Sequence, residues 1–203
     1  MSLVACFGGF EGVTTENSTG GAGAGGSNGG AGAAGTTSPV VELVAKDPLR
    51  RTYDFLRSAH GGILQDGEVK NAGSHIDFSS YNADALTVGI QGGEIGAIVD
   101  LGDDEAVATS IGTSGSGQGF AGLTLVNGLF NAEAANKLFE LSATNTKNTS
   151  DHAQAIVGHV YALRIIETNS QKLDLVVKLI VTDFAPQERV SFRWAKLSGT
   201  KTP

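Results

Sequence analysis

Three segments near the C-terminal end of the chain alternate apolar and polar residues with a period of two. They are His159–Ile166, Leu173–Val181 and Val190–Ala195, separated by the polar turns 168–171 and 185–188. Such alternation between turn-rich segments is typical of half-buried antiparallel strands. Short connections place each strand beside its neighbour, so the three segments are predicted to form a meander. Its predicted core-facing side ends on Val190, Phe192 and Trp194.

Shorter apolar segments, separated by turns that contain glycine, fill the middle of the chain. The pair Asp66-Gly67 is a common hairpin turn. The predicted strands are Gly62–Leu64, Glu68–Lys70, His75–Phe78, Ala85–Gln91, Glu94–Leu101, Ala106–Ile111 and Phe120–Val126. Short strands at this spacing favour a mainly β fold, an antiparallel sandwich or jelly-roll-like domain, over alternating β-α units.

One or two short helices are predicted beside these strands. Asp47-Pro48 suits the start of a helix that Gly61 would end, although Thr52–Leu56 also alternates like a strand. A second helix is predicted from Ala132 to Leu141, with Asn131 as its N-cap.

A glycine-rich leader precedes the predicted domain. No charged residue occurs between Asn17 and Val41, and residues 20–35 are almost entirely glycine and alanine. Such a composition buries too little apolar surface to offset the entropy of ordering, so residues 1–39 are predicted to be a disordered tether. One globular domain is predicted over residues 40–198, followed by a tail at 199–203. The G-x-G-x-x-G match at 21–26 has no strand before it and no helix after it, so it does not indicate dinucleotide binding.

The start of the chain, Leu3-Val4-Ala5-Cys6 before the glycine-rich tether, resembles the layout of bacterial envelope lipoproteins. The resemblance implies that Cys6 carries the lipid and that the domain is held outside the cytoplasm. It covers four residues and a composition, and it implies no fold for the domain. Without lipidation, the cytoplasm is the alternative location.

Charge and cysteine content exclude some function classes. The net charge is -7, and no lysine or arginine lies between Lys70 and Lys137, which predicts an acidic face and argues against a nucleic-acid partner. Cys6 is the only cysteine, so no internal disulfide can form.

No recognisable catalytic constellation appears in the sequence. Gly112–Ser116 lacks the final glycine of a nucleophile elbow, and it is predicted to be a loop. The four histidines, His60, His75, His152 and His159, do not have zinc-ligand spacing and are predicted to be ordinary surface or edge residues. The basic residues of the meander are predicted to face solvent, with a cationic binding face for an anionic glycan or lipid as the alternative; they are Arg164, Lys178, Arg189, Arg193 and Lys196.

One acidic cluster suggests a cation site. Asp100, Asp103, Asp104 and Glu105 supply carboxylate oxygens close together on a predicted turn, and calcium prefers such ligands. The cluster does not match an EF-hand loop, and a solvated hairpin turn is the alternative. Calcium is the only cofactor that the sequence suggests.

Together these features predict a non-catalytic, extracytoplasmic binding or structural module, tethered to a bacterial membrane through a lipid anchor. Its partner would be an envelope glycan, a peptide or a protein. The alternatives are an envelope-associated hydrolase and a subunit of a particle with a glycine-rich arm. A deep polar pocket with perturbed titratable groups would favour the hydrolase.

Overall fold

The computed structural model describes residues 39–71, 73–113, 118–126, 129–130, 150–167 and 173–201. All described residues belong to one compact unit, Gly35–Pro203. The predicted leader and the predicted helix Ala132–Leu141 lie outside the described residues.

Within the described part of the chain, the strands and helices follow one another in this order. They are β1 (Val41–Val44), β2 (Thr52–Asp54), β3 (Ala59–His60), β4 (Gly62–Gln65), β5 (Glu68–Asn71), β6 (Ile76–Phe78), β7 (Ala85–Val88), β8 (Glu94–Asp103), α1 (Asp104–Ser110), α2 (Gln118–Gly122), β9 (Leu125–Val126), β10 (Leu129–Phe130), β11 (His152–Gln154), β12 (His159–Glu167), β13 (Leu173–Ala185) and β14 (Arg189–Lys201). The protein is mainly β, as the sequence predicts.

Two antiparallel sheets form the body of the domain. The first has the strand order β1-β14-β13-β12-β8, and the second has the order β11-β7-β6-β2-β3. The predicted meander is confirmed, because β12 pairs with β13 and β13 pairs with β14 along nearly their whole lengths. The predicted hairpin at Asp66-Gly67 is also confirmed, as β4 and β5 pair across that turn.

The main core lies between the two sheets. Its largest fully buried side chains from the first sheet include Tyr161 and Phe192, and those from the second include Phe78 and Ile76. Both sets belong to one apolar cluster, so the sheets pack face to face as in a sandwich. The alternation predicted for the meander is confirmed here, with Phe192 buried and Trp194 packed against the cluster.

The outer face of the first sheet is covered by α1 and α2. Val107 of α1 and Leu123, just after α2, form a second cluster with Val160, Ala162 and Val176 of the sheet. Lys178 also lies under this cover and is only 6% exposed, so the prediction that it faces solvent is wrong. Its ammonium group donates hydrogen bonds to the carbonyl oxygens of Phe120 and Ala121.

Two predicted strands are wrong in this region. Ala106–Ile111 belongs mostly to α1, because the Asp103 side chain accepts a hydrogen bond from the Ala106 N–H at 2.6 Å and caps the helix. Residues 120–122 belong to α2, and only Leu125–Val126 of the predicted strand Phe120–Val126 is extended.

The helix predicted over Asp47–Gly61 is also wrong, and the alternative strand is the better description. Thr52–Asp54 pairs with both β3 and β6. The backbone then turns, because the Asp54 carboxylate accepts hydrogen bonds from the N–H groups of Leu56 and Arg57. Tyr53 and Phe55 are left in the core, 4% and 2% exposed.

Candidate functional site

A polar cleft opens where the inward-facing rows of β8 and β12 change from apolar to acidic residues. In β8 the row runs from Ile98 through Gly96 to Glu94, and in β12 it ends on Ile165 and Glu167. Glu94 lies directly opposite Glu167 in the strand register. Two carboxylates therefore stand at positions that continue the apolar core.

The second sheet supplies the other wall of this cleft. Asp54 at the end of β2, Arg57 in the turn that follows, and His75 just before β6 line it together with Glu94 and Glu167. The cavity has a volume of about 480 Å³, and its remaining lining residues are Leu56, Gly73, Gln91, Gly92 and Leu173. We call it the Glu94 cleft.

Asp54 is already engaged within the protein. Its carboxylate accepts two backbone hydrogen bonds, and Arg57 Nε donates to its second oxygen at 2.5 Å. The Asp54 side chain is 5% exposed, whereas that of Arg57 is 49% exposed. This ion pair fixes the turn at the cleft and balances the Asp54 charge internally.

His75 is buried, with only 3% of its side chain exposed, so its prediction as a surface or edge residue is wrong. The backbone N–H of Phe55 donates to its Nδ1 at 3.0 Å, and the ring stacks on that of Phe55. Nδ1 also lies 3.4 Å from Asp54 Oδ1, but the shorter bond from the Phe55 N–H makes Nδ1 an acceptor, so the neutral ring carries its proton on Nε2. Burial lowers the pKa of His75, which keeps the imidazole neutral around pH 7.

Glu94 is the least satisfied polar side chain of the cleft. Only 5% of it is exposed, and among the described residues its Oε2 has no hydrogen-bond partner. Its Oε1 lies 3.9 Å from His75 Nε2, which is too long for a hydrogen bond. Burial raises the pKa of Glu94 to about 7, against the lowering effect of a backbone hydrogen bond from Gln91.

A second cavity meets the first at Glu94. It has a volume of about 600 Å³ and is lined by Val88, Gly89, Glu94, Ile95, Gly96, Ser150, Asp151 and His152. The His152 ring lies 2.7 Å from the Asp151 carboxylate, and both side chains are well exposed. Glu94 thus lines both cavities, although only 5% of its side chain is exposed.

This arrangement can bind a small polar molecule and can exchange a proton near neutral pH. An unpartnered buried oxygen costs about 1–3 kcal/mol, and a ligand that donates to it recovers that loss. A carboxyl with a pKa of about 7 is half protonated in neutral solution. Such groups are concentrated at functional sites.

The four acidic residues predicted to bind calcium have different roles in the structure. Asp100 accepts from the Gly102 N–H and lies 2.9 Å from His159 Nδ1, and Asp103 caps α1. Asp104 accepts from the backbone N–H of Phe120, while Glu105 lies in the first turn of α1. Within the described residues, no group of three or more His, Cys, Asp or Glu residues is arranged to hold a metal ion. Calcium binding here stays a prediction.

The sequence did contain a signal for the Glu94 cleft. An acidic residue at an inward position of an alternating strand lowers the stability of the fold unless it is paired or binds a ligand. Glu94 and Glu167 both occupy such positions. The involvement of His75 and Asp54 has no comparable local signal, because it depends on the pairing of the two sheets. Cys6, the predicted lipidation site, lies outside the described residues.

Comparison of the chain with protein-family models, with curated proteins and with solved structures gave no match. In the part of the chain that the structure describes, no helix is long and apolar enough to cross a membrane. The site is therefore interpreted from its own chemistry.

Proposed function

We propose that the domain is a non-catalytic binding module that takes a small polar ligand into the Glu94 cleft. The observation that carries the proposal is the buried Glu94 carboxyl, whose Oε2 has no partner among the described residues and which lines the cavity. A cavity of about 480 Å³ falls within the usual range of small-ligand sites. We further propose that lipidated Cys6 and the glycine-rich leader tether this module to a bacterial membrane.

The structure offers a way to close the cleft without disturbing its walls. A Cβ added at Gly92, which lines the cavity, would have no atom within 4 Å. Gly92→Phe adds a large side chain at the exposed rim of the cleft and is expected to obstruct its opening, whereas Gly92→Ala leaves it open. We expect at least a tenfold loss of affinity in Gly92→Phe, with Gly92→Ala close to wild type and both variants folded.

The binding measurement is an amide NMR titration with four probes of different chemistry: methyl hexosides, agmatine, inorganic phosphate and trialanine. At least one probe should shift resonances around Glu94 and His75 in the wild-type domain. If no probe binds, or if Gly92→Phe binds as tightly as Gly92→Ala, the cleft is not the binding site.

The tether is tested separately by the mass of the N-terminal peptide. The gene, with its upstream region, is expressed in a bacterial host that processes lipoproteins. We expect a diacyl- or triacylglyceryl group on Cys6 and partition of the protein into the membrane fraction. A matched Cys6→Ser variant should lose both. An unmodified peptide that begins at Met1 would contradict the tether and leave the cleft proposal standing.

A hydrolase is the second candidate, because a carboxyl with a pKa of about 7 suits a general acid. Glu167, opposite Glu94, is the nearest partner for it in the strand register. His75 cannot serve as the base while its Nδ1 accepts from Phe55. Product signals appearing during the same NMR titration would favour this candidate over a binding module.

A further inference from the structure

We infer that the ligand of the Glu94 cleft is a neutral polyhydroxy compound, of which one hydroxyl bridges His75 Nε2 and Glu94. A sugar unit is the natural member of this class. The inference rests on the proposed function and names the chemical class of its ligand. Its basis is a donor and an acceptor of fixed position that face each other without bonding.

The donor is fixed by the backbone. Phe55 N–H donates to His75 Nδ1 at 3.0 Å, which leaves the proton on Nε2, the ring nitrogen that lies 3.9 Å from Glu94 Oε1. The ring cannot turn over without losing the Phe55 bond, and it is stacked in parallel on the Phe55 ring, with an interplanar angle of 2°. His75 thus offers the cleft one N–H and no free lone pair.

The gap between the two groups suits one hydroxyl oxygen. Nε2 and Glu94 Oε1 are 3.9 Å apart, so they do not bond, but an oxygen placed between them can lie within about 2.8 Å of each. When Glu94 is ionised, that oxygen must accept from His75 and donate to Glu94. A hydroxyl does both, whereas an ammonium cannot accept and a carboxylate cannot donate.

Glu94 also calls for a second hydroxyl. Its Oε2 is buried and has no partner among the described residues. A carboxylate can accept from two donors side by side, and adjacent hydroxyls on a sugar ring present such a pair. Because Oε2 is shielded from the cavity, a small rotation of the Glu94 carboxylate must accompany binding before one ring with two neighbouring hydroxyls satisfies His75 and both oxygens of Glu94.

The charges and the hydrogen-bonding groups of the cleft together favour a neutral ligand. The Asp54–Arg57 pair is internally balanced, at 2.5 Å. An anion would face Glu94 and Glu167, and an organic cation has no acceptor for the N–H of His75. A transition metal would require an imidazole lone pair, which His75 does not offer.

Two variants of His75 separate its role in binding from its role in stability. Asn places a side-chain acceptor near the position of Nδ1, so His75→Asn keeps a partner for Phe55 N–H but removes the N–H that faces the cleft. Gln reaches the position of Nε2, so His75→Gln keeps that donor and loses the Phe55 partner. A purely structural role would make affinity follow stability in both variants.

The experiment titrates wild type, His75→Asn and His75→Gln with methyl hexosides by NMR, alongside agmatine and inorganic phosphate. We expect a hexoside to bind wild type, His75→Asn to weaken it about fivefold, and His75→Gln to bind nearly as wild type despite a lower melting temperature. In the free protein, ¹⁵N spectra should show the His75 proton on Nε2.

Three outcomes would overturn the inference. They are a proton on Nδ1, hexoside affinity that His75→Asn leaves unchanged, or binding of agmatine or phosphate in a cleft that takes no hexoside. In the last case, loss of that binding in Gly92→Phe would leave the proposed function standing. If no probe binds at all, both the inference and the proposed function fail.

Discussion

Replacing Gly96 with alanine is expected to destabilise the domain by about 3 kcal/mol. An added Cβ would lie 2.4 Å from the Val88 carbonyl carbon, 2.5 Å from its oxygen and 2.6 Å from Gly89 N. These are backbone atoms of β7 and the turn after it, so no side chain can move aside. The distance between β7 and β8 must increase instead, and this also displaces Glu94 at the start of β8.

The measurement is equilibrium unfolding in urea, with Gly92→Ala as the matched control. Gly92 lies four residues away and has open space around its Cβ position, so this control is expected to change stability by less than about 0.5 kcal/mol. Equal unfolding midpoints for Gly96→Ala and Gly92→Ala would show that β7 and β8 do not approach as closely as described.

Glu94→Gln is expected to make the domain more stable than wild type at pH 8, by about 3 kcal/mol, with little effect at pH 4. Burial raises the pKa of Glu94 from 4.5 to about 7, so the folded protein holds this proton more tightly than the unfolded chain. The free energy of unfolding is therefore highest below pH 4.5, where the carboxyl is protonated in both the folded and the unfolded protein. It falls as pH rises from 4.5 through 7, because ionisation then favours the unfolded chain. Each pKa unit corresponds to about 1.4 kcal/mol. Glutamine does not titrate, so it does not lose this stability.

The other titratable groups around the cleft are present in both proteins, so their own pH dependence largely cancels in the difference, while the repulsion of Glu94 by Glu167 and Asp54 is already part of its raised pKa. The lowered pKa of His75 has the opposite effect, since it removes stability as pH falls below 6.5. Asp54, Arg57 and Glu167 are also unchanged by the substitution. Glu68→Gln on the exposed β4–β5 hairpin is the control for the removal of one carboxyl charge. A pH-independent difference for Glu94→Gln would contradict a buried carboxyl.

The C-terminal meander was predictable because each of its strands carries its own signal. Leu175, Val177 and Leu179 alternate without interruption, and short turns fix which strands pair. The hairpin at Asp66-Gly67 was predictable for the same reason, since the turn residues adopt the positive φ angles that such a turn requires. Local pattern and tertiary structure agree in these elements.

The helix predicted around Thr52 is wrong because the local sequence signals in this segment conflict. Asp47-Pro48 resembles a helix start, yet the Asp47 side chain accepts from the Leu49 N–H and closes a turn instead. The strand at Thr52–Asp54 is only three residues long and is held by β3 and β6. Pairing with strands distant in sequence selects the strand over the helix, a choice that the local sequence leaves open.

The site could be predicted only in part. Glu94 and Glu167 interrupt inward apolar rows, and this interruption is visible in the sequence once the bounds of the two strands are known. His75 and Asp54 reach the same cleft through pairing of β2 with β6, 20 or more residues apart. The fixed proton on His75 Nε2 arises from one bond to a backbone N–H, and no residue type in the sequence encodes it.

The most direct test of the central claim is a ¹³C NMR titration of the Glu94 side-chain carboxyl in the folded, ligand-free domain. The structure predicts a pKa of about 7 for this group, because it is buried with one oxygen unpartnered among the described residues. Glu68 in the same spectra serves as the exposed reference. A pKa near 4.5 for Glu94 would show that the carboxyl is hydrated. The Glu94 cleft would then contain no buried, unpartnered acceptor to which a ligand could donate.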